Sequence, residues 1–205
     1  LKSELPAMVD RGFDFYAPQT FQDEKGRRIL IGWMGIPDAD YTNPTVQAGW
    51  QHALTMPRQL HMREGRLLQQ PLEEMEELRR DRRDYDFAKL EKGVETGLVF
   101  EACISLQACR DMRLTLRDDV TLSYENGLLT LDMGTCGSGR TRRSVSLEQL
   151  TDLRIFSDTT SLEIFVNYGQ EVFTTRVYGT HPGMRIEGNC SGSGTVYELN
   201  GFIYE

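Results

Sequence analysis

The sequence predicts an all-β protein. Three observations carry that reading: apolar residues recur at every second position in segment after segment, an Asn-Gly pair sits where a tight hairpin would turn, and one short stretch alone has helical spacing. Successive side chains of a strand point to opposite faces, so alternation marks strands with one face turned inward.

The first strands are expected at about Phe13 to Phe21 and Arg28 to Met34. In the second of these, Ile29, Ile31 and Trp33 alternate with Leu30, Gly32 and Met34. It is apolar on both faces, as in a buried strand. Ala53 to Met62 and Arg66 to Gln69 complete a set of four. Four strands make about one sheet, too little to close a β domain but the size of one propeller blade. The blade has no internal repeat in the chain.

Helical spacing appears once, from Leu72 to Arg80, with Leu72, Met75 and Leu78 on one side. Pro71 precedes it, and acids come early and arginines late, which suits a first turn and the helix dipole. A short helix that docks on a sheet and joins two regions is expected here. Asp81 to Thr96 is charged and weakly patterned and reads as a connection.

Strand signals then resume. Leu98, Phe100, Ala102, Ile104 and Leu106 share a face, as do Met112, Leu114 and Leu116. Val120, Leu122 and Tyr124 lead into Asn126-Gly127, and Leu129, Leu131 and Met133 lead away; Asn-Gly tolerates the positive φ of a type I′ turn. Leu162, Ile164 and Val166 reach a turn at Asn167 to Gln170 before Val172 to Tyr178. Met184 to Glu187, Thr195 to Glu198 and Gly201 to Tyr204 follow. Short strands with frequent turns suggest a sandwich or barrel. The expected division is a strand-rich part at 1–69, a helical linker at 70–84 and a larger all-β part at 85–205.

Composition narrows the function. The 205 residues are 39% hydrophobic, enough for one ample core or two small ones. A net charge of −8 gives no reason to expect nucleic acid as a partner. The basic runs Arg79 to Arg83 and Arg140 to Arg143 are interrupted by acids or small polar residues and read as solvated faces. No apolar stretch approaches the ~20 residues that span a membrane, so no membrane partner is expected. Leu1 to Asp10 show neither a start methionine nor a signal-like pattern, and the chain is expected to begin inside a longer protein. Cys103, Cys109, Cys136 and Cys190 form no Cys-x-x-Cys pair, and His52, His61 and His181 are scattered. No metal or other cofactor is expected, and the few thiols suit a reducing, cytoplasmic setting.

Most catalytic templates are missing: a Gly-rich phosphate loop, Gly-x-Ser-x-Gly and His-Glu-x-x-His. What remains is Asp10 to Phe21, with Asp10, Asp14, Tyr16 and Gln19 at a strand edge, and Gly32-Trp33-Met34 beyond it. Carboxylates accept hydrogen bonds from sugar hydroxyls, and rings cover the apolar face of a sugar. The same residues suit a strand rim with solvated acids and a core tryptophan, and the residues alone leave both readings open.

Several motifs in order resemble family 32 of the glycoside hydrolases, which holds invertases, sucrose-6-phosphate hydrolases, levanases and inulinases. They are Asp10-x-Gly12-x-Asp14-Phe15-Tyr16-Ala17-Pro18-Gln19-Thr20-Phe21, Gly26 to Met34, Gly49-Trp50, Leu54 to Leu60, Leu68-Gln69-Gln70-Pro71, Leu78-Arg79, Leu153 to Phe156 and Asp158 to Tyr178. The likeness is weakest from about Asp81 to Arg143. It implies a five-bladed propeller that carries the active site, followed by a C-terminal β-sandwich. Residues 1 to about 69 would be the last blade. The family's three acidic motifs hold a nucleophile in Asn-Asp-Pro-Asn, a stabiliser in Arg-Asp-Pro and an acid/base in Glu-Cys. None of the three occurs in this chain.

By this resemblance Asp10, Asp14 and Tyr16 match a rim that binds fructosyl hydroxyls, and Trp33 matches a tryptophan near the substrate pocket. Trp50, Pro57 and Arg58 match structural positions, and Asp158, Glu163 and Arg176 suit structural pairing. The implied partner is a fructosyl saccharide, bound by a parent β-fructofuranosidase of the cytosolic sucrose-6-phosphate hydrolase type. The chain itself is expected to be inactive. The competing reading makes the sandwich a carbohydrate-binding or propeller-stabilising module, which would need an exposed ring among Tyr124, Tyr168, Tyr178, Tyr197 and Phe202. A lone blade exposes strand edges, so residues 1–69 should pack on the sandwich, pair with a second copy as a homo-oligomer, or belong to a larger chain.

Overall fold

The computed structural model describes residues 8–201. The last expected strand therefore lies outside the described residues except for Gly201, and Phe202 lies outside them too.

Four strands form the first sheet: β1 (Tyr16–Gln22), β2 (Arg28–Trp33), β3 (Arg58–Arg63) and β4 (Arg66–Pro71). They run as an antiparallel meander in the order β1-β2-β3-β4. β2 buries Ile29 and Leu30, as its two-faced apolar pattern requires, while β1 is an exposed edge. β1 starts at Tyr16 rather than Phe13, because the residues before it have another partner, described below.

The helical stretch is shorter than the expected 70–84. Only Glu73–Leu78 is helical, as a 3-10 turn. Arg79–Asp86 is not a connection but a strand, β5, which pairs with β15 (Ser191–Leu199) at the edge of a sheet. Its charged residues hid it, since edge strands often carry charge in place of an apolar face. A helix follows, α1 (Phe87–Lys92), N-capped by the Asp86 carboxylate, which accepts from the Lys89 N–H at 2.9 Å. Leu90 of α1 is fully buried.

The remaining strands are β6 (Phe100–Gln107), β7 (Met112–Leu116), β8 (Val120–Glu125), β9 (Leu128–Asp132), β10 (Arg142–Ser146), β11 (Asp152–Asp158), β12 (Ser161–Val166), β13 (Glu171–Arg176) and β14 (Met184–Gly188). They build two facing sheets, ordered β10-β9-β8-β7-β14 and β13-β12-β11-β6-β15-β5. Asn126 and Gly127 turn the β8–β9 hairpin with φ of +51° and +73°. The alternating residues Phe100, Ile104, Leu114, Leu122, Ile155 and Ile164 meet between the sheets as one core. A smaller apolar cluster, Met75, Phe156, Phe165 and Val172, lies outside the six-stranded sheet and packs with Met56, Leu72 and Leu78. No helix among the described residues is long and apolar enough to cross a membrane.

The first sheet is fastened to the sandwich along β13, the outer strand of its sheet. Arg11 N donates to Val172 O at 2.7 Å, and Phe13 N donates to Thr174 O at 2.9 Å, so the chain before β1 covers this strand edge. Gly12 permits the approach, because a Cβ there would stand 2.0 Å from Thr174 O. At the other end Gln69 N donates to Gly169 O at 2.9 Å.

Candidate functional site

The four residues singled out by sequence separate into two pairs. Tyr16 and Trp33 stand opposite each other at the ends of β1 and β2. Their rings meet edge to face with centroids 6.2 Å apart, and the Trp33 ring lies 5.4 Å from that of His52. The β1 register shifts just after Tyr16, where Ala17 takes φ of +45°. Such a bulge re-aims the side chain beside it. Trp33 and His52 line a cleft of about 300 Å³, with Asp38, Asn43 and Gln51. Tyr16 is half exposed beside it. Rings, a carboxylate and two amides around a small cleft can hold a polar ring such as a sugar.

Asp10 and Asp14 take a different place. Both are buried at the joint between the first sheet and the sandwich. Asp10 Oδ1 accepts from Gly12 N at 2.8 Å and Thr174 N at 2.9 Å, and its Oδ2 accepts from Arg58 Nη1 at 3.0 Å and Thr174 Oγ1 at 2.6 Å. Asp14 is gripped by Arg140 through Nε at 2.6 Å and Nη2 at 2.7 Å, and accepts from Arg176 N at 2.8 Å. Asp14 reaches the wall of the Trp33 cleft, but its two oxygens are occupied in this way. The rim expected from sequence therefore keeps its two rings, while its acids turn inward. The reason is electrostatic: each buried carboxylate needs a cation and hydrogen bonds. Arg58 of the first sheet and Arg140 of the sandwich supply the cations, and Thr174 and Arg176 N of β13 add hydrogen bonds.

Arg58 is the centre of the joint and is fully buried. Besides Asp10, its guanidinium donates to Gln69 Oε1 at 3.0 Å and Glu163 Oε2 at 2.7 Å. It lies 5.0 Å and 5.4 Å from the ring centres of Phe15 and Phe165. Burial alone would lower its pKa, but Glu163 and Asp10 outweigh that and hold it above the ordinary value. Glu163 also accepts from Met56 N at 2.7 Å, and burial pushes its carboxyl above the usual range. The structural pairing expected for Glu163 is with Arg58. Arg176 is buried too, but it meets Thr160 Oγ1 at 2.8 Å and the Trp50 ring at 4.9 Å rather than an acid.

Arg140 corrects the reading of the second basic run. It is buried, grips Asp14 and lies 4.1 Å from the Tyr41 ring centre. In the first run, Arg79 pairs with buried Glu101 at 2.6 Å. A lone arginine reads as surface in a sequence, and nothing near Arg140 signalled its partner 126 residues away. Among the described residues no group of three His, Cys, Asp or Glu is placed to hold a metal ion.

Residues 2–71 match the model of the glycosyl hydrolases family 32 N-terminal domain, and residues 74–200 match the family's C-terminal model. The chain belongs to glycosyl hydrolase family 32. The curated relatives of this family 32 chain include the sucrose-6-phosphate hydrolase of Bacillus subtilis (strain 168), 35% identical over 187 residues, which covers 85% of this chain and 38% of the relative. The sucrose-6-phosphate hydrolase of Staphylococcus xylosus is 38% identical over 189 residues, with 83% of this chain and 38% of the relative covered. The family 32 chain thus spans well under half the length of these relatives. A solved sucrose-6-phosphate hydrolase from Lactobacillus gasseri superposes with a TM-score of 0.84 at 26% identity, covering 94% of this chain and 42% of the other. A family 32 β-fructofuranosidase from Bombyx mori superposes at 0.78 and 26% identity, covering 95% and 42%. The architecture of the family 32 chain is accordingly all-β: the last blade of a five-bladed propeller, a short helical connection and a C-terminal sandwich.

Proposed function

We propose that the chain is the C-terminal part of a retaining β-fructofuranosidase acting on sucrose, sucrose 6-phosphate or fructans in the cytoplasm, and that it is inactive by itself. The observation that carries this is the match of both family models in sequence order, across a blade and a sandwich that share one buried joint. In this reading Tyr16 and Trp33 contribute ring surface to the fructosyl pocket of the parent enzyme, and Asp10 and Asp14 hold the blade that presents them. Retaining hydrolysis needs a nucleophile and an acid/base about 5–5.5 Å apart. None of Asn-Asp-Pro, Arg-Asp-Pro or Glu-Cys occurs in the 205 residues. Incubating the purified chain with sucrose, sucrose 6-phosphate and inulin should release no reducing sugar above a boiled control. Sustained turnover would defeat the proposal.

A second role has its own support. The sandwich braces the blade, because each carboxylate of the Asp10–Gly12–Asp14 segment is bonded to it through Thr174 or Arg140. A propeller-stabilising function of the sandwich follows from those bonds and is compatible with the first proposal.

A further inference from the structure

Two thiols of the sandwich stand together, and neither lines the cleft at Trp33. The chain passes between the two facing sheets from β6 to β7 and again from β14 to β15. Cys109 lies in the first crossing and Cys190 in the second.

Hydrogen bonds hold these crossings side by side. Gln107 pairs with Ser191 on one flank, and Met112 pairs with Gly188 on the other. Between them Arg110 N donates to Asn189 O at 3.0 Å, and Asn189 Nδ2 donates to Asp111 Oδ2 at 2.7 Å. The register of these pairs leaves Cys109 facing Cys190. Glycines on both sides of Cys190 permit the close approach. A Cβ at Gly188 would stand 2.3 Å from Asp111 O, and one at Gly192 would stand 2.0 Å from Ser105 O. Residues that face each other across antiparallel backbone have Cα atoms about 4.5–5.5 Å apart, within the span a disulfide bridges.

Both thiols are free and half-buried against the sandwich core. Gln107, Ala108, Arg110 and Asn189 around them are exposed, so a small solute reaches the pair. The Cys190 thiol donates toward the Cys109 sulfur. Burial pushes the Cys190 thiol up to about 12, and Cys109 adds to that. Burial raises Cys109 as well, but the bond from Cys190 counteracts it, so Cys109 gives up its proton first. The other two cysteines have acids as neighbours instead. Cys103 Sγ donates to Glu101 Oε1 at 3.4 Å, and Cys136 Sγ donates to Asp119 Oδ1 at 3.2 Å.

We propose that Cys109 and Cys190 form a reversible disulfide clasp, open in the reduced chain and closed by a small-molecule disulfide such as oxidised glutathione. The Cys109 thiolate attacks one sulfur of that disulfide and expels a thiolate, which leaves a mixed disulfide on Cys109. The Cys190 thiolate then attacks the Cys109 sulfur and expels the second thiolate. Two protein thiols are oxidised, the small disulfide is reduced, and its two thiolates take up the two protons. Closure ties both crossings together, and with them both sheets. It also closes a long loop in the unfolded chain, which lowers the entropy of that state.

Incubating the folded 205-residue chain with about 5 mM oxidised glutathione tests the clasp. Peptide mapping should find one internal link, Cys109 to Cys190. The melting temperature should rise by about 5–15 °C, and dithiothreitol should undo both changes. Cys190→Ser should instead retain a glutathione on Cys109, without the rise. Three outcomes each overturn the clasp: the folded parent chain yields no Cys109–Cys190 peptide, it yields glutathione adducts alone, or the link forms and the melting temperature stays or falls. No readout involves a sugar, so the clasp stands or falls apart from the proposed hydrolase.

Discussion

Glu163 and Glu101 are both buried glutamates on strands of the six-stranded sheet, yet their surroundings act on them in opposite directions. Glu163 shares the single guanidinium of Arg58 with Asp10. Two carboxylates on one cation leave an excess of negative charge, and burial pushes the Glu163 carboxyl up against the partial pull of Arg58. Glu101 sits between two cations, Arg79 and Arg154, each 2.6 Å away. Burial acts to raise its pKa too, but the two guanidiniums outweigh it and hold the carboxyl below the ordinary value. Burial raises both carboxyls; the two guanidiniums beside Glu101 reverse the sign, and the one that Glu163 shares does not. Glu163 is therefore the buried carboxylate that shares its one cation, and Glu101 the one held between two.

Breaking the joint should have the largest effect. Arg58→Met leaves Asp10 and Glu163 buried without a cation and should cost about 3–5 kcal/mol in urea unfolding at pH 7. That deficit should shrink toward pH 4 as Glu163, whose carboxyl burial already pushes up, takes up a proton. A cost below about 1 kcal/mol at pH 7 would show that the cluster is not coupled to folding.

The pH dependence of two isosteric variants sharpens the comparison. A raised folded pKa means that the native state binds the proton more tightly than the unfolded chain, so Glu163 stabilises the fold more as pH falls through that pKa. A lowered folded pKa means the reverse. Glu101 stabilises the fold above the unfolded value of about 4.3, and that contribution is lost as pH falls below it. The cost of Glu163→Gln should therefore grow between pH 7 and pH 4, and the cost of Glu101→Gln should hold down to about pH 5 and shrink from there to about pH 2, each by on the order of 1 kcal/mol. Parallel changes in the two variants would remove the contrast drawn above.

The smallest effect belongs to the surface. Arg142 and Asp132 pair at 2.6 Å, but the arginine side chain is 67% exposed. Arg142→Ala should change the unfolding free energy by about 0–1 kcal/mol. A larger loss would mean that exposed pairs in this chain behave like buried ones.

The sandwich was the more legible part of the fold. Its inner faces alternate strictly, as in Leu114, Leu116, Leu122 and Leu131, and Asn126-Gly127 marked its hairpin. The strands β5 and β10 were missed, because both are outer strands whose exposed charges carry no period-two apolar signal. The inner strand β11 was missed as well, its Leu153 to Phe156 being read only as part of the family likeness. The site was half legible. Tyr16 and Trp33 do meet at a cleft, as an aromatic pair near acids suggested. The burial of Asp10 and Asp14 was not readable from their neighbours. It depends on Thr174 and Arg140, and a local pattern holds no information about partners so far along the chain.

That sequence distance has a kinetic consequence. Asp10 and Thr174, which lock the strap along β13, are 164 residues apart. At a synthesis rate of roughly 5–20 residues per second, the blade waits on the order of ten seconds or more for its latch to be made. During that interval its uncovered strand β1 and Asp14, whose arginine is not yet made, face the solvent, which makes the nascent blade a stage at which a chaperone, or a neighbouring nascent chain, would meet it.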